Sequence, residues 1–228
     1  MIKRNIILIM CCFIFGAAHA QFDNVKKGDI IDINGNKALV FKIDEDGHGS
    51  AMSVKALRGL KNAWCTDRKA SNNVATYSET DGMKNTQAVY DYVRTNGISL
   101  SKFPAFEWCN NLGEGWYIPS VKQMESFVNF LLGNEQDYDW DNEDDDYELN
   151  SENLTTKAIN ESMLEAGGTP FISSVPNGYT SGVYTSTKNE NGKIYLYDMD
   201  KAKNVWRFRK KAPMTLDKYT IGRAFYDF

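Results

Sequence analysis

The stretch "GWYIPSVKQMESFVNFLLG" (115–133) constrains the fold more than any other part of the chain. It opens as a short β-rich run and stops at Pro119, which has no backbone N–H to extend a ladder. Ser120 then offers a hydroxyl N-cap, and Val121, Met124, Phe127, Val128 and Leu131 recur at helical spacing on one apolar face. Gly133 ends the helix. On the N-terminal side, "GDIIDINGNKALVFKIDEDGHGSAMSV" (28–54) is β-rich and broken at Asn34-Gly35-Asn36 and Asp46-Gly47-His48-Gly49, the pattern of a hairpin or short meander. Residues 57–77 read as irregular. Helices are expected over Asn85–Arg94, where Val89, Tyr92 and Val93 share a face, and over Pro104–Asn110, with proline in the first turn. Another is expected within 151–168, closed by Gly167-Gly168. From Thr169 onward strands and turns alternate, with Asn191-Gly192 as a hairpin signal. Strands, then helices, then strands, without repeats or a long linker, argue for an α+β fold with short antiparallel sheets and flanking helices.

The first twenty residues, "MIKRNIILIMCCFIFGAAHA", have a basic start, an apolar run from Ile6 to Phe15 and a small-x-small end at Ala18-His19-Ala20. This is the anatomy of a secretory signal peptide. The expected organisation is therefore a signal peptide over 1–20 and one domain over 21–228, with an acidic insertion around 134–150. Two of the 26 basic residues, Lys3 and Arg4, fall in the leader, so the remainder is more acidic than the formal −4 of the whole chain. No second long apolar segment follows, and a soluble exported protein, periplasmic or at the cell surface, is expected. Cys65 and Cys109 are the cysteines beyond the leader. In an oxidising compartment they form either one disulfide or two buried thiols.

Several segments, taken in order, resemble the Lcl C-terminal domain family, which is named after a bacterial collagen-like adhesin and overlaps the Fibrobacter major paralogous domain group. They are "EWCNNLGEGWYIPSVKQME" (107–125), "INESMLEAGGTPF" (159–171), "YTSTKNENGKIYLYDMD" (184–200) and "GRAF" (222–225). The family pattern has Y-W-S-S-T-E where this chain has Tyr184-Thr185-Ser186-Thr187-Lys188, and V-R-A-F where it has Gly222-Arg223-Ala224-Phe225. The resemblance implies a C-type-lectin-like fold with N- and C-terminal strands brought together, and it implies no catalytic residue. Core packing is the expected role of Trp108, Trp116, Tyr117 and Trp206. Gly115 and Gly222 are expected to serve backbone geometry.

"DYDWDNEDDDYE" (137–148) fits an EF-hand calcium loop in part: Asp137, Asp139 and Asp141 fall at positions 1, 3 and 5, Asp145 at 9 and Glu148 at 12. Asn142 stands where the motif wants glycine, and Asp144 where it wants an apolar residue. The competing reading is a solvated acidic insertion. Calcium is thus the one cofactor the sequence suggests. The sugar-binding calcium signature of true C-type lectins is missing.

"NVWRFRKK" (204–211) read as a strand puts Trp206 and Phe208 on one face and Arg207 and Arg209 on the other; with Lys203, Lys210 and Lys211 this makes a basic patch suited to an acidic polysaccharide. The alternatives are an edge that discourages aggregation, or pairing with the acidic run. Tyr179, Tyr184, Tyr195 and Tyr197 are either exposed aromatic platforms or strand packing. Export and acidity argue against nucleic acid. Catalysis has little support: His48 sits in a turn, and no spacing singles out carboxylates such as Glu107 or Glu114 for glycoside hydrolysis. The expected function is a non-catalytic, adhesin-like module that binds a glycan or a protein partner through Arg207, Arg209, Lys210, Lys211, Tyr184 and Tyr195. The alternative is a structural subunit of a surface assembly.

Overall fold

The computed structural model describes residues 22–57, 64–133, 147–150, 154–169, 181–202, 205–211 and 221–228, with the backbone alone at 147–150, 154–156, 181–182, 198–202 and 205–211 and at position 132. The expected signal peptide lies outside them. Strands β1 (Ile30–Ile33), β2 (Asn36–Ile43), β3 (Gly49–Ser53), β4 (Trp116–Tyr117) and β9 (Phe225–Asp227) form one antiparallel sheet in the order β1-β2-β3-β9-β4. Strands β5 (Tyr147–Asn150), β6 (Ser181–Lys188), β7 (Ile194–Ala202) and β8 (Val205–Lys211) form a second, in the order β5-β8-β7-β6. Helices α1 (Arg68–Asn73), α2 (Gly82–Asn96), α3 (Pro104–Leu112), α4 (Val121–Leu132) and α5 (Leu154–Glu165) surround them. The chain is therefore α+β with small antiparallel sheets. No described helix is long and apolar enough to cross a membrane.

The β1–β2 hairpin turns on Asn34 and Gly35, both at positive φ (54° and 84°), with Ile33 opposite Asn36. That is the two-residue turn whose twist matches the strands. In β2, Ala38-Leu39-Val40-Phe41 is buried without a break, because both faces of the sheet are covered. Leu39, Phe41 and Met52 join the apolar stripe of α4 and Ile159 and Met163 of α5 in one core. Ala38, Val40 and Ala51 face a second core with Trp64, Phe103, Phe106, Cys109 and Trp116. A continuous apolar run on a strand buried on both sides is the expected consequence.

β9 inserts between β3 and β4, so the last described strand is locked beside the first meander. The two sheets are joined by a parallel bridge from Val183 to Ile221 and an antiparallel one from Leu57 to Gly222. Helix α4 matches its sequence reading: the Ser120 hydroxyl accepts from Gln123 N–H, the Gln123 side chain returns to Ser120 N–H, and Gly133 closes the helix in the left-handed region at φ 69°.

Elsewhere the boundaries differ. α2 starts at Gly82, earlier than expected, because Asp81 caps it by accepting from Lys84 N–H. The stretch expected to be irregular contains α1, capped by Asp67 on Lys69 and Ala70 N–H, and also the fully buried Trp64. The predicted strand before Pro119 shortens to two residues.

Tyr184-Thr185-Ser186-Thr187-Lys188 binds three neighbouring segments into one unit. Trp64 Nε1 donates to Thr185 O at 3.1 Å, and Ser186 N donates to Pro119 O at 2.7 Å. Thr187 Oγ1 donates to Ser78 O and accepts from Val121 N. The Lys188 ammonium donates to Ser71 O and Val74 O and lies 5.2 Å from the Trp64 ring centre. Buried Arg223 acts similarly, donating to Ser53 O, Val54 O and Thr169 O at 2.7–3.0 Å.

Candidate functional site

The described part of the binding set expected from sequence is only partly accessible. Tyr184 is fully buried in the second core, and Gly222 packs against its hydroxyl, so it cannot serve as an exposed platform. Tyr197 is buried as well, and Tyr195 is half-buried against the first core, with its carbonyl taken by Thr185 Oγ1. The reason is that β6 and β7 have core on both sides: Val183 and Tyr197 enter one cluster, Tyr184 and Leu196 the other. Tyr179 lies outside the described residues.

The basic strand exists as β8, and the structure gives its register. Arg207 stands opposite Asp200 on one side and Glu148 on the other, Arg209 opposite Asp198, Lys210 opposite Tyr197 and Lys211 opposite Leu196. Directly opposed residues share a sheet face, so both arginines have acidic cross-strand neighbours.

Of the calcium set, Asp137, Asp139, Asp141 and Asp145 lie outside the described residues. Glu148 lies in β5, paired with β8, whereas an EF-hand places its twelfth residue at the start of a helix. The helix on that side begins only at Leu154. Among the described residues no cluster of three His, Cys, Asp or Glu is arranged to hold a metal. Cys65 and Cys109 are both free thiols, the first half-buried and the second fully buried.

A cleft of about 560 Å³ opens elsewhere, where β2, β3 and β9 meet the first turns of α4. At its base is a chain of hydrogen bonds anchored on the α4 cap. Gly82 N and Ser120 N both donate to Gln123 Oε1, at 2.9 and 3.0 Å. Gln123 Nε2 donates to the Tyr117 hydroxyl at 2.9 Å, and that hydroxyl donates to Asp227 Oδ2 at 2.7 Å. Ser50 Oγ donates to Asp227 Oδ1, also at 2.7 Å. Burial, reinforced by the Asp227 charge, raises the Tyr117 pKa, so the phenol keeps the proton that it gives to the carboxylate.

Asp227 remains exposed although both its oxygens are held. A carboxylate oxygen has two acceptor positions, so each keeps one after these bonds. Around it, Lys42 pairs with Asp44 at 3.0 Å and Lys122 with Glu125 at 3.1 Å. His48 Nδ1 lies 3.3 Å from Phe228 O, and the hydroxyl residues Thr80 and Ser126 complete the rim. Glu107 and Glu114, considered above as possible acids, are not among the lining residues.

Sequence reasoning did not reach this site. Ser50 and Asp227 are 177 positions apart, and no local spacing connects them. The one legible hint is Ser120 as an N-cap; the structure adds Gln123, which closes the cap and fixes the inner end of the chain.

Compared with family models, curated proteins and solved structures, the chain matches none.

Proposed function

We propose that this protein is an exported, non-catalytic binding module with a C-type-lectin-like fold, recognising a glycan or a protein ligand at a bacterial cell surface. The observation that supports it most is the cleft: its acceptor Asp227 is exposed yet immobilised by Ser50 and Tyr117. Groups held in place before a ligand arrives lose little entropy on binding. The cleft volume lies within the range of about 300–1,000 Å³ usual for small-ligand sites. The signal-like leader and the ordered series of motifs support export and the fold assignment.

The motif residues contribute the frame. Tyr184, Lys188 and Arg223 are buried and tie backbone segments together, which leaves recognition to loops and strand ends. The test is a glycan-array and surface-protein screen of the purified protein, with calcium and with a chelator. Reproducible binding to a glycan or a surface protein is the expected result. Turnover of a saccharide or peptide would contradict it. Concentration-dependent self-association without any ligand would favour the structural-subunit alternative.

A further inference from the structure

We infer that the ligand of this cleft is a neutral saccharide, whose vicinal hydroxyls donate to the outer acceptor positions of Asp227. The inference rests on the binding-module reading and narrows it to one ligand class and one site.

Charge in the cleft points away from a polyanion. Among the lining side chains Lys42 and Lys122 stand against Asp44 and Asp227, with His48 counted neutral, so their formal charges cancel, and both lysines are paired, Lys42 with Asp44 at 3.0 Å and Lys122 with Glu125 at 3.1 Å. A sulfated or uronate chain would have to displace that pairing and approach Asp227, at a Coulombic cost. A neutral polyol meets no such repulsion.

Geometry points toward hydroxyl donors. Asp227 accepts at Oδ1 from Ser50 and at Oδ2 from Tyr117, which leaves one acceptor position on each of two oxygens of a planar group. Two neighbouring hydroxyls of a sugar ring can donate to such a pair side by side. Bonds from hydroxyl to carboxylate are charge-assisted and stronger than neutral ones. The two partners of Asp227 are themselves fixed: Tyr117 by Gln123, and Ser50 by its place in β3. The rim supplies the complementary set, with the Lys42 ammonium as donor and the hydroxyls of Thr80 and Ser126 as either donor or acceptor. The half-buried ring of Phe228 gives an apolar wall for the C–H face of a sugar.

The experiment measures binding of the full protein to a set of neutral methyl glycosides and neutral oligosaccharides, and in parallel to heparin and polygalacturonate, by saturation-transfer NMR and calorimetry. Two variants are compared with the parent. Asp227→Asn removes the anionic acceptor and one hydroxyl partner. Ser126→Trp adds bulk to the cleft from α4 and leaves every residue of the Asp227 chain unchanged, so it still tests the site if the first variant is poorly folded. The expected result is binding of at least one neutral saccharide, little changed by 0.5 M salt, where the screening length is roughly 4 Å, and weakened at least about tenfold in each folded variant, a change of about 1.4 kcal/mol. Neutral-sugar binding that survives both variants unchanged would overturn the site while leaving the module reading standing. Binding confined to the polyanions and abolished by salt would overturn the ligand class. Absence of binding to every saccharide would overturn this inference, and binding to a surface protein instead would still leave the wider reading intact.

Discussion

Lys188 is almost completely enclosed, with its ammonium on two backbone carbonyls and beside the Trp64 ring. Burial lowers its pKa to about 8. A buried cation with hydrogen-bonded partners is costly to break on one side, because the abandoned acceptors stay desolvated. Lys188→Met is expected to lower stability by about 2–4 kcal/mol, since two carbonyls lose their donor; a urea midpoint equal to that of the parent would show that the clasp contributes nothing. The side chain's position was not legible in the sequence, where Lys188 reads as one more charge before a hairpin turn. Its partners at Ser71 and Val74 are more than a hundred residues away and lie within and at the end of α1, a helix whose short sequence carries no apolar period. Tyr184 was open to two readings for a related reason: alternation along a strand tells which residues share a face, but not that both faces are covered.

At the scale of elements, α4 was readable to the residue because every local signal agrees: proline before it, a serine cap, an apolar stripe and a glycine stop. The β1–β2 hairpin was readable for the same reason, through Asn34-Gly35. Removing the cap by Ser120→Ala is expected to cost about 1 kcal/mol. Gln123→Ala should cost more, about 2–3 kcal/mol, because it leaves Gly82 N, Ser120 N and the Tyr117 hydroxyl without a partner they now have. Thermal or urea unfolding of the two variants checks the ranking, and equal losses would mean that the chain leading to Asp227 adds nothing beyond an ordinary cap. The acidic segment shows the opposite situation. Its carboxylate spacing follows a calcium loop over part of the pattern, yet the element after it is a strand paired with β8. That pairing is a long-range choice, made by β-rich "NVWRFRKK", and no window around the acidic run contains it.

For the whole molecule, the arrangement of β9 between β3 and β4 brings Asp227 and Phe228 to the cleft, and the two cores enclose acids that resist ionisation. Burial raises the pKa values of Cys65, Cys109, Tyr90, Tyr117 and Tyr184 above their ordinary 9.0 and 10.0. Above those values the unfolded chain loses protons that the folded chain keeps, so stability falls as pH rises. Lys188 works in the other direction between about 8 and its ordinary 10.5, where the unfolded chain holds the proton that the folded one has lost. One group against five gives the prediction: melting temperature changes little from pH 8 to 9 and drops progressively above pH 10, in a calorimetric series. A rise continuing through pH 11 would mean that the phenols and Cys109 are not enclosed as described. The order of strands, helices and strands made the α+β class legible, whereas the cleft depends on residues from both ends of the chain meeting across β3 and β9. The most direct test of the central claim is amide chemical-shift mapping with the best-binding saccharide or surface-protein fragment from the screen. The account predicts that shifts cluster at residues 42–50, 122–126 and 226–228; a cluster along Val205–Lys211, with the cleft undisturbed, would contradict it.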